Sequence, residues 1–136
     1  MSFERVPAVV PDDLTRPFWE ACRRQVLIVQ RCEACAAYQY PPMDNCGQCQ
    51  HDVLKWQRSA GHGTIHSVST VYRPQSPEFD APYVVAIVFL DEGWHMISNI
   101  VDCGPNEARI NDRVEVTFTT TNDGFVLPHF RLANRG

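Results

Sequence analysis

The chain has 136 residues, enough for one domain or two very small units sharing a core. Its 44% apolar and 21% charged residues match an ordinary globular protein and exclude global disorder. With 12 Lys and Arg against 16 Asp and Glu the formal charge is −4, and the densest basic run is only Arg23-Arg24, so no basic stripe favours a nucleic-acid backbone.

Residues 1–14 are rich in Pro, Asp and Val without a helical or strand period, which predicts an extended arm. This opening lacks the basic-then-apolar pattern of a secretory leader, and the longest apolar stretch, Val84 to Leu90, is far too short to cross a bilayer. The expectation is a soluble, cytoplasmic protein with no membrane partner. Thr15 suits a helix N-cap and Pro17 a first turn, so FWEACRR from Phe18 to Arg24 predicts a short helix. Phe18, Trp19 and Cys22 fall on one side of it. QVLIVQ then begins a strand leading into Cys32, and VLKWQ (53–57) reads as a returning strand after a cysteine-bounded loop. Helix and ribbon together occupy 15–59.

From residue 60 to 136 the texture is that of strands separated by turns. Gly61-His62-Gly63 reads as a turn. The strand segments are 63–73, 83–90, 94–100, 113–120 and 125–132, and a turn-rich PQSPEFDAP follows the first. Residues 102–112 form a longer irregular connection with room for one helical turn. In RVEVTFTT, Val114, Val116 and Phe118 alternate with polar residues, the pattern of a half-buried strand. Asn122-Asp123-Gly124 supplies the positive-φ residues of a tight hairpin. A mainly β fold follows: a short N-terminal helix, a zinc ribbon and a five-stranded meander with one long connection. Such a meander suits a closed OB-fold barrel, with an open sandwich as the alternative.

Cys32-Glu-Ala-Cys35 and Cys46-Gly-Gln-Cys49 form a C-x2-C-x10-C-x2-C pattern. Two turns that each aim two sulfurs at one point complete a tetrahedral shell, and in a reducing compartment they read as ligands of one zinc ion sooner than as disulfides. Four thiolates on that ion add a net −2, taking the charge to about −6. Rubredoxin-type iron shares the spacing, but no electron-transfer chemistry surrounds the site. Four sulfurs leave no open coordination position, so the metal is structural. Such knuckles often carry glycine after the second cysteine, where φ > 0 is needed. Here Ala36 and Gln50 stand there, which predicts a slightly strained or differently hydrogen-bonded knuckle with the site retained.

Cys22 reads as a core residue, and Cys103, in a loop-like context, as an unreactive thiol sooner than as a reactive one. His51 reads as a surface neighbour of the cysteines. His62 and His66 would lie about 13 Å apart on an extended strand and cannot share a metal. His95 and His129 read as ordinary strand residues. No catalytic motif is present. Tyr38, Tyr40, Trp56, Tyr72 and Phe79 are candidate exposed aromatics, with Pro, Gln, Ser and Asp among their neighbours and no regular interleaving with Lys and Arg. That composition points to a protein or acyl-chain partner, first at Tyr40-Pro41-Pro42-Met43 and at Pro128-His129-Phe130-Arg131.

The order FWEA, CEAC, YPP, CGQC, GHGTIHSVSTVYR, RVEVTF and DGFVLPHFRL resembles the family of small acyl-CoA-associated proteins with a rubredoxin-like zinc ribbon and an OB-fold, long catalogued as a domain of unknown function. The resemblance covers about residues 15–132 and is most specific at Phe18-Trp19, Tyr40-Pro41-Pro42 and Pro128/Phe130. The family often has glycine where Asn111 stands here. The resemblance implies a non-catalytic zinc-binding accessory subunit that forms a hetero-oligomer with a thiolase-like enzyme. The complex would act on acyl-CoA as a thiolase, an acyltransferase or a retro-aldolase of steroid-like side chains. This chain would then support folding of its partner and access of the CoA thioester, with Tyr40, Pro41, Pro42, Pro128 and Phe130 as interface candidates. Two other readings compete: a single-stranded nucleic acid binding module of zinc ribbon and OB-fold, and direct acyl-CoA binding by the barrel alone.

Overall fold

The computed structural model of the chain describes residues 14–72, 83–104, 106–121 and 124–133. The expected arm (apart from residue 14), the PQSPEFDAP turn and Phe79 lie outside the described residues.

Helix α1 spans Arg16–Arg23 with Thr15 at the N-cap and a proline in the first turn. The Thr15 carbonyl accepts from the Trp19 amide at 3.2 Å, while its hydroxyl makes no capping bond. The helix closes with a Schellman motif: the Gln25 amide donates to the Cys22 carbonyl and the Val26 amide to that of Ala21, each at 2.9 Å. Gln25 fills the left-handed position at φ 59, where glycine is usual. Phe18, Ala21 and Cys22 are buried, while Trp19 is half-buried against the same core.

The ribbon is a three-stranded antiparallel sheet of β1 (Ile28–Cys32), β2 (Tyr38–Gln39) and β3 (Leu54–Arg58), in the order β2-β1-β3. The strand pair expected on either side of the knuckles is present, and the two-residue β2 is an addition.

Strands β4 (His62–Val71), β5 (Tyr83–Leu90), β6 (His95–Val101), β7 (Arg113–Thr120) and β8 (Val126–Leu132) close into a barrel in the order β4-β5-β6-β8-β7. The five strands do not form a simple meander. Strand β8 inserts between β6 and β7, parallel to β6 at Ile100↔Phe130 and antiparallel to β7. The connection 102–112 carries the chain across to β7 through turns, and it contains no helix among the described residues.

His62, expected in a turn, and Gly63, expected where that turn meets the strand, both belong to β4, where the chain pairs with β5 and β7 at once. A strand that serves two neighbours at a barrel corner must bend, and glycine permits the close approach. The alternation in β7 is weaker than its sequence suggests: Val114 is fully buried, whereas Val116 and Phe118 are half-buried. Strand β4 reaches β7 only at residues 113–115, so the rest of β7 has one sheet neighbour, β8.

One hydrophobic cluster runs from α1 and β1 (Phe18, Cys22, Leu27, Val29) into the barrel (Ile65, Val88, Ile100, Val114, Phe130). Aromatic contacts stitch the two together. Tyr40 lies 5.8 Å from Phe18 and 5.4 Å from Trp94 between ring centroids. At the joint, Glu92 accepts hydrogen bonds from Ser59 Oγ (2.8 Å), the Ala60 amide (3.0 Å) and Trp94 Nε1 (3.0 Å). The ribbon thus meets the barrel through an apolar seam and one satisfied carboxylate.

His129, expected as an ordinary strand residue, is only 4% exposed, and its Nδ1 lies 2.9 Å from Thr119 Oγ1. Burial lowers its pKa from 6.5 to about 4. The unfolded chain therefore binds the extra proton first. Stability should be complete above pH 6.5 and decline by about 3 kcal/mol as pH falls through 6.5 toward 4. Urea midpoints measured across that range should fall for the wild type and change less for His129→Gln; equal slopes would refute the assignment.

Candidate metal centre

Cys32 ends β1, and Cys46 follows the loop that β2 starts, so the sheet itself brings the two knuckles face to face. All four Sγ atoms lie within 4.8 Å of one another, with Cys32–Cys49 and Cys35–Cys46 at 3.6 Å. A tetrahedral ion with bonds of about 2.3 Å separates its sulfurs by about 3.8 Å, so the cage fits zinc. Among the described residues no other group of three or more His, Cys, Asp or Glu converges closely enough to hold a metal.

The two knuckles repeat one hydrogen-bond pattern. The Ala36 amide donates to the Cys32 carbonyl and the Cys32 amide to the Ala37 carbonyl; Gln50 to Cys46 and Cys46 to His51 match them, all at 2.8–3.0 Å. Amides also point at sulfur, Ala34 at Cys32 and Gln48 at Cys46, each at 3.3 Å. Such donors favour thiolate, and the amides of Cys49 and Gln48 draw the Cys46 thiol down to about 6. Cys32 and Cys46 are buried and Cys35 and Cys49 exposed, so two sulfurs face the protein and two face outward.

Two glutamines support this cage, and sequence reasoning passed over both. Gln39 is buried, donates from Nε2 to Cys46 Sγ at 3.5 Å and accepts from the Gly47 amide at 3.0 Å. Gln30 bonds both the carbonyl and the amide of Met43, at 3.1 and 2.7 Å, and so ties the long loop to β1. The available signal was an amide side chain inside a strand otherwise facing the core.

Ala36 and Gln50 stand at φ 65 and 67. The strain expected from their sequence positions is present, at about 1 kcal/mol each. Gly at either position should add a net 0.5 kcal/mol or so after the entropy of a freer unfolded chain. Zinc-loaded Ala36→Gly/Gln50→Gly should need more chelator to lose its metal; a lower requirement would show that these side chains hold the site.

The other candidates scatter. Pro41 and Met43 are exposed and Pro42 half-buried, but Tyr40 is wedged between α1 and the barrel, and burial pushes its hydroxyl up to about 12. Pro128 is buried, and Phe130, with no exposed surface, packs in the hydrophobic core from β8, a wall strand between β6 and β7. Neither offers this chain's surface to a partner. Tyr38 and Trp56 are half-buried against the core; Tyr72 is 58% exposed. Burial pushes the Cys22 thiol up to about 12, in keeping with a core residue. Half-buried Cys103 donates weakly to the Ile100 carbonyl. His62 pairs with Glu115 across the barrel seam, whereas His66 and His95 flank Phe89 at 4.6 and 5.4 Å. No helix among the described residues is long and apolar enough to cross a membrane.

Two family models match, the ChsH2 rubredoxin-like zinc ribbon domain over residues 19–52 and the ChsH2 C-terminal OB-fold domain over 56–119. A DUF35 domain-containing scaffold protein of Methanothermobacter thermautotrophicus is 39% identical over 98 residues, covering 71% of this chain and 74% of its own. A probable enoyl-CoA hydratase alpha subunit of Thermomonospora curvata is 34% identical over 128 residues, or 93% of this chain, which spans 39% of that relative's length. Among solved structures, a chain of the Ltp2-ChsH2(DUF35) aldolase superposes with a TM-score of 0.83 at 30% identity, covering 93% of this chain and 99% of that one.

Proposed function

The chain belongs to the ChsH2/DUF35 family of rubredoxin-like zinc ribbons joined to an OB-fold, and from that premise we propose a non-catalytic accessory subunit of a thiolase-like acyl-CoA complex. The observation that carries this reading is the likeness to the Ltp2-ChsH2(DUF35) aldolase over 99% of that chain. The site's chemistry supports it. Zinc held by Cys32, Cys35, Cys46 and Cys49 supplies folding energy and presents no open position to a substrate.

The partner is a thiolase-like subunit that carries the bond-making chemistry, as thiolase, acyltransferase or retro-aldolase on CoA thioesters. This chain braces that partner's fold and shapes the approach of the thioester. The Pro41-Pro42-Met43 loop, with Pro41 and Met43 exposed and Met43 tied down by Gln30, is the interface segment that remains available on the surface. A single-stranded nucleic acid role lacks electrostatic support, because β4, β5 and β6 carry no Lys or Arg.

Co-expression with a thiolase-like protein should yield a soluble complex that turns over acyl-CoA, while this chain alone stays inert. Turnover by the isolated chain, or no assembly with any thiolase-like protein encoded beside it, would overturn the reading.

A further inference from the structure

Helix α1 has a second face beside the β7–β8 hairpin, on which Trp19 is half-buried against the core. Arg16, Trp19, Glu20 and Arg23 line a cavity of about 400 Å³, and the β7–β8 hairpin closes its other side with Gly124 and Phe125. A space of that size takes a nucleotide-sized ligand and exceeds what a single ion fills. Trp19 and Phe125, both half-buried, bring rings from opposite walls. The Trp19 ring is already held, since buried Phe18 meets it edge-on at 5.0 Å and 89°. Arg16 and Arg23 stand two turns apart on one side of the helix, about 10 Å along its axis, with Trp19 between them. Gly124 leaves its wall bare, with nothing within 4 Å of where a Cβ would be.

A flat ring system with an anion on each side matches this lining. Guanidinium forks bind phosphate bidentately, and aromatic faces stack on a base. We propose that this cleft binds the nucleotide end of a CoA thioester, with adenine against Trp19 and Phe125 and the phosphates on the two sides of its ribose on Arg16 and Arg23. Glu20, set between the arginines, accepts an N–H from the adenine amine. The proposal rests on the acyl-CoA reading above. An acyl chain has no use for two guanidiniums, and a nucleic acid strand needs a basic track that continues past one base.

The test uses the full zinc-loaded chain, with adenosine 3′,5′-bisphosphate and CoA as probes in calorimetry and tryptophan fluorescence. Adenosine, inorganic phosphate and a single-stranded oligonucleotide serve as comparison ligands. The bisphosphate and CoA should bind saturably at one site, with adenosine and phosphate each about tenfold weaker or more. Arg16→Ala/Arg23→Ala and Trp19→Ala should each weaken the bisphosphate by about tenfold or more, and Trp19→Phe should restore it. Circular dichroism and zinc content report that the variants remain folded. No saturable binding at millimolar probe, unchanged binding in the double arginine variant, or tighter binding of the oligonucleotide would overturn the cleft. The arginine variant should still assemble with the thiolase-like partner. Loss of binding with assembly intact in the wild type refutes the cleft alone, whereas binding without assembly refutes the subunit reading alone.

Discussion

Cys46→Ser should strip the chain of zinc and unfold its ribbon. Cys46 is 1% exposed, lies 3.6 Å from Cys35 Sγ and receives bonds from the Gln48 amide and the Gln39 side chain. Serine oxygen is protonated at neutral pH and a poor zinc ligand, so the shell drops to three sulfurs. Structural zinc contributes an apparent 10–16 kcal/mol or so to small zinc domains, and no other term in a segment this short can replace it. Strand β2 has two residues, and loop 40–50 hangs on Gln30, Gln39 and the knuckles. Atomic emission should find less than stoichiometric zinc after dialysis against chelator. Amide exchange should rise across residues 32–54, with the strand centres of the barrel still protected. Full zinc occupancy with an unchanged melting temperature would sink the assignment. Under the proposed function the same variant loses its partner, and turnover falls because assembly fails; an assembled complex without turnover would contradict a purely scaffolding role.

Gly63→Ala should be the most damaging single methyl in the barrel. A Cβ at Gly63 would sit 2.4 Å from the Phe89 carbonyl oxygen and 2.9 Å from Val88 Cγ1. The first obstacle is backbone and cannot rotate away. Relief requires prying β4 from β5 where Gly63 also pairs with Val114 of β7. Overpacking with strand displacement costs about 3 kcal/mol, which lowers the melting temperature by about 10 °C for a chain of this size. Gly93→Ala is the control. Gly93 has φ 106 and nothing within 4 Å, so its methyl brings backbone strain of about 1–2 kcal/mol without a clash. A Gly63→Ala protein as stable as the wild type would mean that the strands are farther apart than described.

Both effects show how legibility varied along the chain. The zinc cage was visible because its signal is chemical: two C-x2-C pairs have few other uses, whatever surrounds them. The positive φ at Ala36 and Gln50 followed from the same motif, since a knuckle turns only that way. Strands β5 and β7 were readable from their period. Strand β2 was not, because two residues have no period. Gln30 and Gln39 were not readable either, because their partners, Met43 and Gly47, are met only when the loop folds back.

By itself, the sequence determined the helix and most of the strands, where the metal ligands lie, and that no basic track is present. These properties belong to a residue and its near neighbours: hydrophobic period, cysteine spacing, side-chain charge. Only the tertiary structure decided that β8 lies between β6 and β7, that Phe130 packs in the core and Tyr40 in the seam, and that Gly63 is a corner in a strand. Those outcomes depend on which distant segments meet when the sheet closes on itself. The cleft between α1 and the β7–β8 hairpin is of that kind, since its two walls come from opposite ends of the chain.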